Sequence, residues 1–177
     1  PMSQHAISTP TEIDMLVGFS DLPLYNRYTQ KTGNLDLLAL MTAYFELTGG
    51  IIEDAGGLFI ITIGDASLAA FRGGDTDAGV NAFLRTKSEG DAWLRAQGLN
   101  SVAIVKLHFG AVACGYVGAP SEKRFDIYGK TVNTAGLLES KGFAVSPQVF
   151  RKLSPETRKL FKKHTPPVTY IAAGERH

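Results

Sequence analysis

Residues 58–71 read LFIITIGDASLAAF, and this segment determines the architecture that we expect of the chain. Two apolar runs rich in β-branched residues flank Gly64-Asp65, which is the signature of a β-hairpin with a short loop. Apolar residues recur at spacings of three, four and seven over 34–54, and a more polar helix is predicted over 75–97. The hairpin is therefore expected to add two neighbouring strands to a sheet that helices cover.

Strands and helices alternate along the rest of the chain. Strands are predicted at 12–19, 101–112, 125–128, 143–146 and 168–172, and helices at 130–140 and from Ser154, where serine followed by proline favours a helix start. This order predicts an α+β fold of the ferredoxin-like sandwich kind, with one mostly antiparallel sheet covered by helices. We expect one domain over residues 12–177, preceded by a flexible segment over residues 1–11.

Composition excludes several classes of protein. The 177 residues are 44% hydrophobic, and 18 Lys+Arg against 17 Asp+Glu leave a net charge of +1. That balance gives no broad basic surface for nucleic acid, and no apolar run reaches the ~18 residues that a membrane span needs. The single cysteine, Cys114, fits a reducing compartment. We predict a cytoplasmic domain, alone or within a larger and even membrane-anchored protein, that neither binds nucleic acid nor inserts into a membrane.

Two carboxylates occupy positions that core packing does not explain. Asp21 lies just past the first predicted strand, and Asp65 lies at the tip of the hairpin. If these strands are neighbours, both side chains project from the same edge of the sheet, where they suit the hard cations Mg²⁺ or Mn²⁺. Taken singly, each aspartate is better explained by turn preference, and Asp21 could cap a following helix.

A second candidate surface comes from residues 125–140, FDIYGKTVNTAGLLES. Asp126 and Tyr128 would share one face of a short strand, while Asn133 and Leu137 would share one face of the following helix. Such a surface could bind a purine, with the carboxylate accepting a hydrogen bond from an exocyclic amine. A solvent-facing strand followed by an ordinary helix accounts for the same pattern.

Four motifs together resemble a known family. FSD at 19–21, GG(x)₆GD at 56–65, HFGAVACGYVG at 108–118 and FDIYGKTVN(x)AG(x)LES at 125–140 occur in the order and at roughly the spacing of class III adenylate/guanylate cyclase catalytic domains. The resemblance covers about residues 12 to 153, and the chain is identified as a divergent member of that family. It implies a head-to-tail dimer, with itself or with another cyclase domain, whose sites lie at the interface.

The resemblance assigns a role to each candidate residue. Asp21 and Asp65 match the aspartates that hold two ions, Mg²⁺ or Mn²⁺. One ion activates the ribose 3′-hydroxyl for attack on the α-phosphate, and the other neutralises the departing pyrophosphate. Asp126 matches the residue that recognises the base, in its adenine-preferring version, which implies ATP as the nucleotide. Asn133 matches the catalytic asparagine that orients the ribose, and Tyr128 would lie beside the bound nucleotide.

The chain departs from the family at two central positions. Ile61 stands where the family has a base-recognising lysine, and Leu137 stands where it has an arginine that stabilises charge on the α-phosphate. Loss of one such donor typically lowers the rate by about 10²–10³, near 3–4 kcal/mol. Lys141, four residues further along, could face the same way as Leu137.

The segment that follows the first aspartate also differs. The family places a hydrophobic residue, a variable residue, glycine, phenylalanine and threonine or serine there, and this chain has Leu22-Pro23-Leu24-Tyr25-Asn26. The resemblance implies nucleotide contacts at Leu22, Leu24 and Tyr25. Pro23 removes a backbone N–H, however, and Leu24 adds bulk where the backbone must approach the triphosphate closely.

Three functions remain open at this stage. The first is a divergent ATP cyclase of weak activity. The second is a catalytically inactive pseudo-cyclase that dimerises, binds nucleotide or regulates a partner, which the apolar Ile61 and Leu137 favour. The third is a diguanylate cyclase, suggested by Gly73-Gly74-Asp75, although that signature belongs at a hairpin tip and here opens a helix.

Three further features are predicted to be structural. His108 is interpreted as a hydrogen-bonded strand histidine and Cys114 as a small buried apolar residue. The basic residues over 151–163 are interpreted as the solvated face of a helix, with docking of an anionic partner as the alternative.

Overall fold

The structure, a computed structural model, describes residue 7, residues 9–164 and residues 168–175. Its strands are β1 (Thr11–Asp21), β2 (Leu58–Ile63), β3 (Ala66–Arg72), β4 (Ile104–Ala119), β5 (Glu122–Tyr128), β6 (Phe143–Val145), β7 (Phe161–His164) and β8 (Thr169–Ala172). Its helices are α1 (Tyr25–Thr29), α2 (Asn34–Asp54), α3 (Thr76–Ala96), α4 (Lys130–Leu137), α5 (Pro147–Lys152) and α6 (Pro155–Arg158).

Within the described residues, the eight strands form one sheet in the order β2-β3-β1-β4-β6-β8-β7, and β5 pairs with β4 beside this row. The pairing is antiparallel except between β4 and β6. β1 is central, because it pairs with β3 on one side and along its whole length with β4 on the other. The prediction of an α+β fold with a mostly antiparallel sheet is confirmed.

The two faces of the sheet are covered differently. Helices α2 and α3 pack on one face, where Leu16 of β1 and Phe71 of β3 lie in a cluster with Phe83 of α3. Helix α4 covers the other face, where Val17 and Ala135 belong to a second cluster. Because side chains alternate along a strand, the odd-numbered residues of β1, which include Asp21, face the side that α4 covers.

Glycine is required at one point of contact between the two layers. A β-carbon at Gly18 would overlap the ring of Phe83 and the side chain of Leu107. Helix α3 therefore approaches β1 more closely than any other residue at position 18 would permit. The hairpin loop also uses glycine, because Gly64 has a φ of 60° in the left-handed region.

The long elements follow the sequence prediction, and the last part of the chain does not. β4 was expected to end at residue 112 but continues to Ala119, because β5 folds back and pairs with its second half. Ser154 does cap a helix, accepting a hydrogen bond from Thr157 N, but that helix, α6, has only four residues. The prediction of one basic helical face over 151–163 is therefore wrong, since Lys162 and Lys163 lie in β7.

Two predictions concern the N-terminal segment and the ability of a segment to span a membrane. Of the predicted flexible segment, residues 1–6 and residue 8 lie outside the described residues, while Ile7 is buried and Thr11 already belongs to β1.

Helix α2 is long and apolar enough to cross a membrane by length and composition. One of its faces contributes Met41, Tyr44 and Ile52 to the core.

Candidate functional site

The strand register brings the two candidate metal aspartates to one edge of the sheet. Asp21 is the last residue of β1, and Asp65 is the second residue of the loop between β2 and β3. Ser20 pairs with Ser67, so the hairpin tip lies beside the end of β1. Asp65 Oδ2 accepts a hydrogen bond from the backbone N–H of Leu22 at 3.0 Å. The predicted convergence of these two carboxylates is confirmed.

The surroundings of Asp21 suit a cation. Burial raises the pKa of the Asp21 carboxyl; the positive charge of Lys106 lowers it, and the negative charge of Asp65 raises it further. Its Oδ1 is buried and has no hydrogen-bond partner in the described part of the chain. A buried anionic oxygen without a partner is costly, and a bound cation would remove that cost.

The donor set is the one that a hydrated Mg²⁺ or Mn²⁺ ion uses. Among the described residues, no group of three or more His, Cys, Asp or Glu side chains could hold a metal ion. Asp21 and Asp65 therefore form a pair and not part of a larger cluster of ligating side chains in the described residues. Mg²⁺ is commonly bound by one or two carboxylates, with water and substrate phosphates filling the other positions.

A second group of candidate residues lines a cavity of about 220 Å³ between β2, β5 and α4, here called the β5–α4 cavity. Asp126, Tyr128 and Asn133 all line it, and Ile61 forms part of its apolar wall. Asp126 Oδ1 accepts a hydrogen bond from the backbone N–H of Ile127 at 2.8 Å. The charge of Asp126 and a hydrogen bond to it raise the pKa of the Tyr128 hydroxyl. The cavity offers acceptors and a hydroxyl against an apolar wall, which suits a flat heterocycle.

Leu137 lies at the C-terminal end of α4, away from the β5–α4 cavity. It is 82% exposed at the last residue of α4 and lines a separate cavity of about 580 Å³, here called the α4 C-terminal cavity. Lys106, Lys141 and His164 line this cavity with it. Asn133 and Leu137 both lie on the exposed face of α4, as expected, and they line different cavities along it. The position of Lys141 agrees with the expectation that it faces the same way as Leu137.

Lys106 lines the α4 C-terminal cavity, and the sequence patterns did not single it out. The signal available was a lysine in the otherwise apolar stretch Ile104-Val105-Lys106-Leu107. Its Nζ donates a hydrogen bond to the carbonyl of Gly136, 30 residues away in sequence, at 3.3 Å.

In the segment after Asp21, Leu22 is buried, Leu24 and Tyr25 are partly buried, and Pro23 and Asn26 are exposed. Leu22 is 4% exposed within the core, and Tyr25 packs against the same cluster. Leu24 precedes the first turn of α1 and makes no side-chain capping hydrogen bond. Any ligand contact from Leu22 must therefore come from its backbone.

Three other motifs lie outside these cavities. His108 is buried and its Nδ1 lies 2.8 Å from Ser146 Oγ, and burial lowers its pKa. Cys114 is buried as a free thiol, so the predictions of a hydrogen-bonded strand histidine and a small buried cysteine are confirmed. Gly73-Gly74-Asp75 forms a 3-10 turn that opens α3, as expected, and so does not lie at a hairpin tip.

Comparison with known proteins agrees with the geometry. Residues 9–169 match the family model for the adenylate and guanylate cyclase catalytic domain. The chain is also 27% identical over 161 residues to an adenylate cyclase of Anabaena cylindrica, a match that spans 82% of this chain and 32% of that protein. The chain thus spans about a third of the length of that relative.

Solved structures share the fold. A bacterial light-regulated adenylyl cyclase superposes with a TM-score of 0.80 at 22% identity, over 97% of this chain and 55% of that one. The guanylate cyclase domain of RhGC from Catenaria anguillulae, solved in complex with GTP, gives 0.77 at 21% identity, over 94% of this chain and 100% of that one. The adenylyl cyclase CyaB from P. aeruginosa gives 0.75 at 18% identity, over 94% of this chain and 97% of that one.

Proposed function

The chain belongs to the adenylate and guanylate cyclase catalytic domain family, and from that premise we propose that it is a divergent nucleotidyl cyclase domain of weak activity. Its substrate is a purine nucleoside triphosphate, with ATP preferred, and its products are the cyclic nucleotide and pyrophosphate. The observation that carries this proposal is the buried Oδ1 of Asp21, which lies beside Asp65 and has no hydrogen-bond partner among the residues that the structure describes. A domain with no use for a cation gains nothing from that arrangement. The balanced charge and the single buried cysteine support a cytoplasmic location.

Asp21 and Asp65 would hold Mg²⁺ or Mn²⁺, with two ions in the active form. Bound there, the metal would make the ribose 3′-hydroxyl more acidic and offset the charge of the phosphates. Leu22 contributes by fixing Asp65 through its backbone N–H. The orientation of this carboxylate therefore does not depend on the ligand.

The β5–α4 cavity would bind the base and the ribose. Asp126 would accept a hydrogen bond from the 6-amino group of adenine, which guanine lacks at that position. Asn133 would bind the ribose from the exposed surface of α4. Ile61 gives the base apolar contact but no hydrogen bond, so this side of the cavity contributes little to the choice between purines.

The reaction forms one bond and breaks another at the α-phosphorus. The ribose 3′-oxygen attacks that phosphorus, its proton passes to solvent, and the bond to the pyrophosphate oxygen breaks. Leu137 cannot stabilise the charge that develops on the phosphate, because its side chain is apolar. We expect a low turnover rate for this reason.

A dimer supports this assignment, formed head to tail with a second copy or with another cyclase domain. Large hydrophobic residues are exposed around the two cavities, with Ile63 at 72%, Tyr128 at 53% and Leu137 at 82%. Burying them against a partner would be favourable, since about 25 cal/mol is gained per Å² of apolar surface removed from water.

The second candidate is an inactive pseudo-cyclase that acts as a dimerisation, regulatory or nucleotide-binding module. It is favoured by Ile61 and Leu137, each of which replaces a cationic group of the family with an apolar one. Such a domain would still bind the metal, and it could complete a site in a partner that supplies the missing lysine and arginine.

The decisive experiment measures cyclic nucleotide formation from ATP and from GTP with Mn²⁺, using the wild type and Asp65→Ala. We expect slow turnover, faster with ATP, that the Asp65→Ala variant loses while it stays folded with an unchanged oligomeric state. Turnover equal in the two proteins would exclude the metal assignment. A folded dimer with no turnover would favour the pseudo-cyclase.

A further inference from the structure

We propose that the ammonium group of Lys106 binds the triphosphate of the nucleotide at the α4 C-terminal cavity, supplying the positive charge that the family takes from an arginine at the position of Leu137. This inference rests on the proposed function, because it names a residue of the same nucleotide site. The ligand class is a nucleoside triphosphate, recognised through its phosphates.

The sheet places Lys106 on the face that carries the functional side chains. Lys106 pairs with Phe19, and Asp21 pairs with Ile104, so Lys106 and Asp21 are diagonal neighbours on antiparallel strands. Such neighbours have β-carbons roughly 7–8 Å apart, within the reach of a lysine side chain. A lysine in this half-buried position interrupts an apolar strand, and its aliphatic part can pack while the ammonium group reaches the cavity.

A hydrogen bond holds the ammonium group at the end of α4. Lys106 Nζ donates to the carbonyl of Gly136, the residue before Leu137. Carbonyls in the last turn of a helix lack partners within the helix and attract cations. An ammonium group has three N–H donors, and among the described residues the ammonium group of Lys106 makes this one hydrogen bond, so two donors can serve a ligand.

The two cavities lie along α4, about one helical turn apart. Asn133 and Leu137 are four residues apart, which corresponds to about 6 Å along a helix axis at 1.5 Å per residue. A nucleotide whose base contacts Asp126 and whose ribose contacts Asn133 can therefore place its phosphates in the cavity that Lys106 lines.

Two competing roles fit this cavity less well: Lys106 as a counter-ion, and Lys141 as the phosphate ligand. Lys106 forms no ion pair among the described residues, so it is not simply the bound counter-ion of Asp21. Lys141 lines the same cavity, but it is exposed and no hydrogen bond of its side chain within the described residues fixes it there. A charge held in place before the substrate binds stabilises the transition state more than a mobile one.

The test compares two ligands with and without phosphates. Binding of 3′-deoxy-ATP, which cannot cyclise, and of 3′-deoxyadenosine is measured by calorimetry with Mn²⁺ for the wild type, Lys106→Met, Lys141→Met and Lys163→Met. Loss of a charge-assisted hydrogen bond should weaken 3′-deoxy-ATP by about tenfold or more in Lys106→Met and leave 3′-deoxyadenosine unchanged. Lys163→Met removes the same charge from the exposed face of β7 and should change neither affinity.

A second variant separates binding from structure. In the double variant Lys106→Met/Leu137→Arg, affinity for 3′-deoxy-ATP should return to at least the wild-type value, with melting temperature and oligomeric state as controls. Equal weakening of both ligands in Lys106→Met would assign Lys106 a structural role and overturn the inference. So would a phosphate-specific loss in Lys141→Met in place of Lys106→Met.

The outcomes also distinguish this inference from the proposed activity. Lys106-dependent binding of 3′-deoxy-ATP without any cyclic product would support Lys106 and exclude the enzyme. Cyclic product from ATP with unchanged affinity and rate in Lys106→Met would support the enzyme and exclude Lys106. No measurable binding of 3′-deoxy-ATP to the wild type would overturn the role of Lys106 directly.

Discussion

The two carboxylates, Asp21 and Asp65, and the two apolar positions, Ile61 and Leu137, differ in how the fold holds them. Asp21 and Asp65 are fixed by strand pairing, by a two-residue loop and by a backbone hydrogen bond. Leu137 is 82% exposed and makes none of these contacts, and Ile61 is only partly buried. Substitution at Ile61 and Leu137 therefore disturbs the fold little. This explains how these two positions can lack the cationic groups of the family while the rest of the architecture is intact.

The largest effect, on the rate of cyclisation, is expected from placing cationic groups at Ile61 and Leu137. The double variant Leu137→Arg/Ile61→Lys should cyclise ATP at least tenfold faster than the wild type. In a Lys106→Met background, which lacks the ammonium group that we propose as the substitute, Leu137→Arg should give about a 10²-fold gain, the typical value of one such donor. Steady-state rates with Mn²⁺ measure both, and Leu137→Gln is the uncharged control. An unchanged rate in intact dimers would show that these positions are not what limits activity.

Metal binding should have the next largest effect, on stability. A ligand that binds only the folded state stabilises it by about 2.7 kcal/mol at a concentration 100 times its dissociation constant. Addition of Mn²⁺ should therefore raise the melting temperature of the wild type in a concentration-dependent way. Asp65→Ala should melt at one temperature with or without Mn²⁺. An equal shift in both proteins would place the ion away from the acid pair.

The β5–α4 cavity can be tested through its preference for the base. Asp126→Asn replaces an acceptor with a group that can also donate to the 6-oxo group of guanine. The preference for ATP over GTP should fall by about tenfold, which corresponds to one hydrogen bond of about 1.4 kcal/mol. Ratios of kcat/KM for the two nucleotides measure this, with Tyr128→Phe as a control that keeps the carboxylate. A constant ratio would move base recognition elsewhere.

The smallest effect concerns the pH dependence of stability without metal. Burial raises the pKa of Asp21 above its value in the unfolded chain, so the stabilising contribution is complete below about pH 4 and is lost as the pH rises through the folded-state pKa. Asp21→Asn should remove this slope, with a change of at most about 1 kcal/mol because the side chain is partly exposed to solvent. Urea unfolding in EDTA between pH 4 and 7 measures it. A steeper slope in the variant would contradict the assignment.

Local patterns determined what the sequence could predict. Helix α2 was expected over 34–54 and spans those residues, and the hairpin loop lies at Gly64-Asp65, because periodicity and turn preference are properties of neighbouring residues. The convergence of Asp21 and Asp65 followed from the same hairpin.

Features that depend on distant pairing could not be predicted in the same way. The second half of β4 is a strand only because β5 returns beside it, and its glycine-containing sequence gives no strong strand signal. Lys106 stands out only through its hydrogen bond to the carbonyl of Gly136, a residue that is 30 positions away in sequence and that the fold brings next to it. The separation of Leu137 from the cavity of Asn133 likewise depends on which strands α4 covers.

Because Leu22 N–H donates a hydrogen bond to Asp65, the spacing of the Asp21 and Asp65 carboxylates depends on how the interior of the domain packs. The side chain of Leu22 is anchored in the core with residues of α2 and α3, while its N–H holds the hairpin tip. Repacking beneath Leu22 would therefore change the gap into which a cation must fit, at a distance from any residue that touches it. The packing of the core therefore sets the spacing of the two carboxylates that would coordinate a cation at the surface.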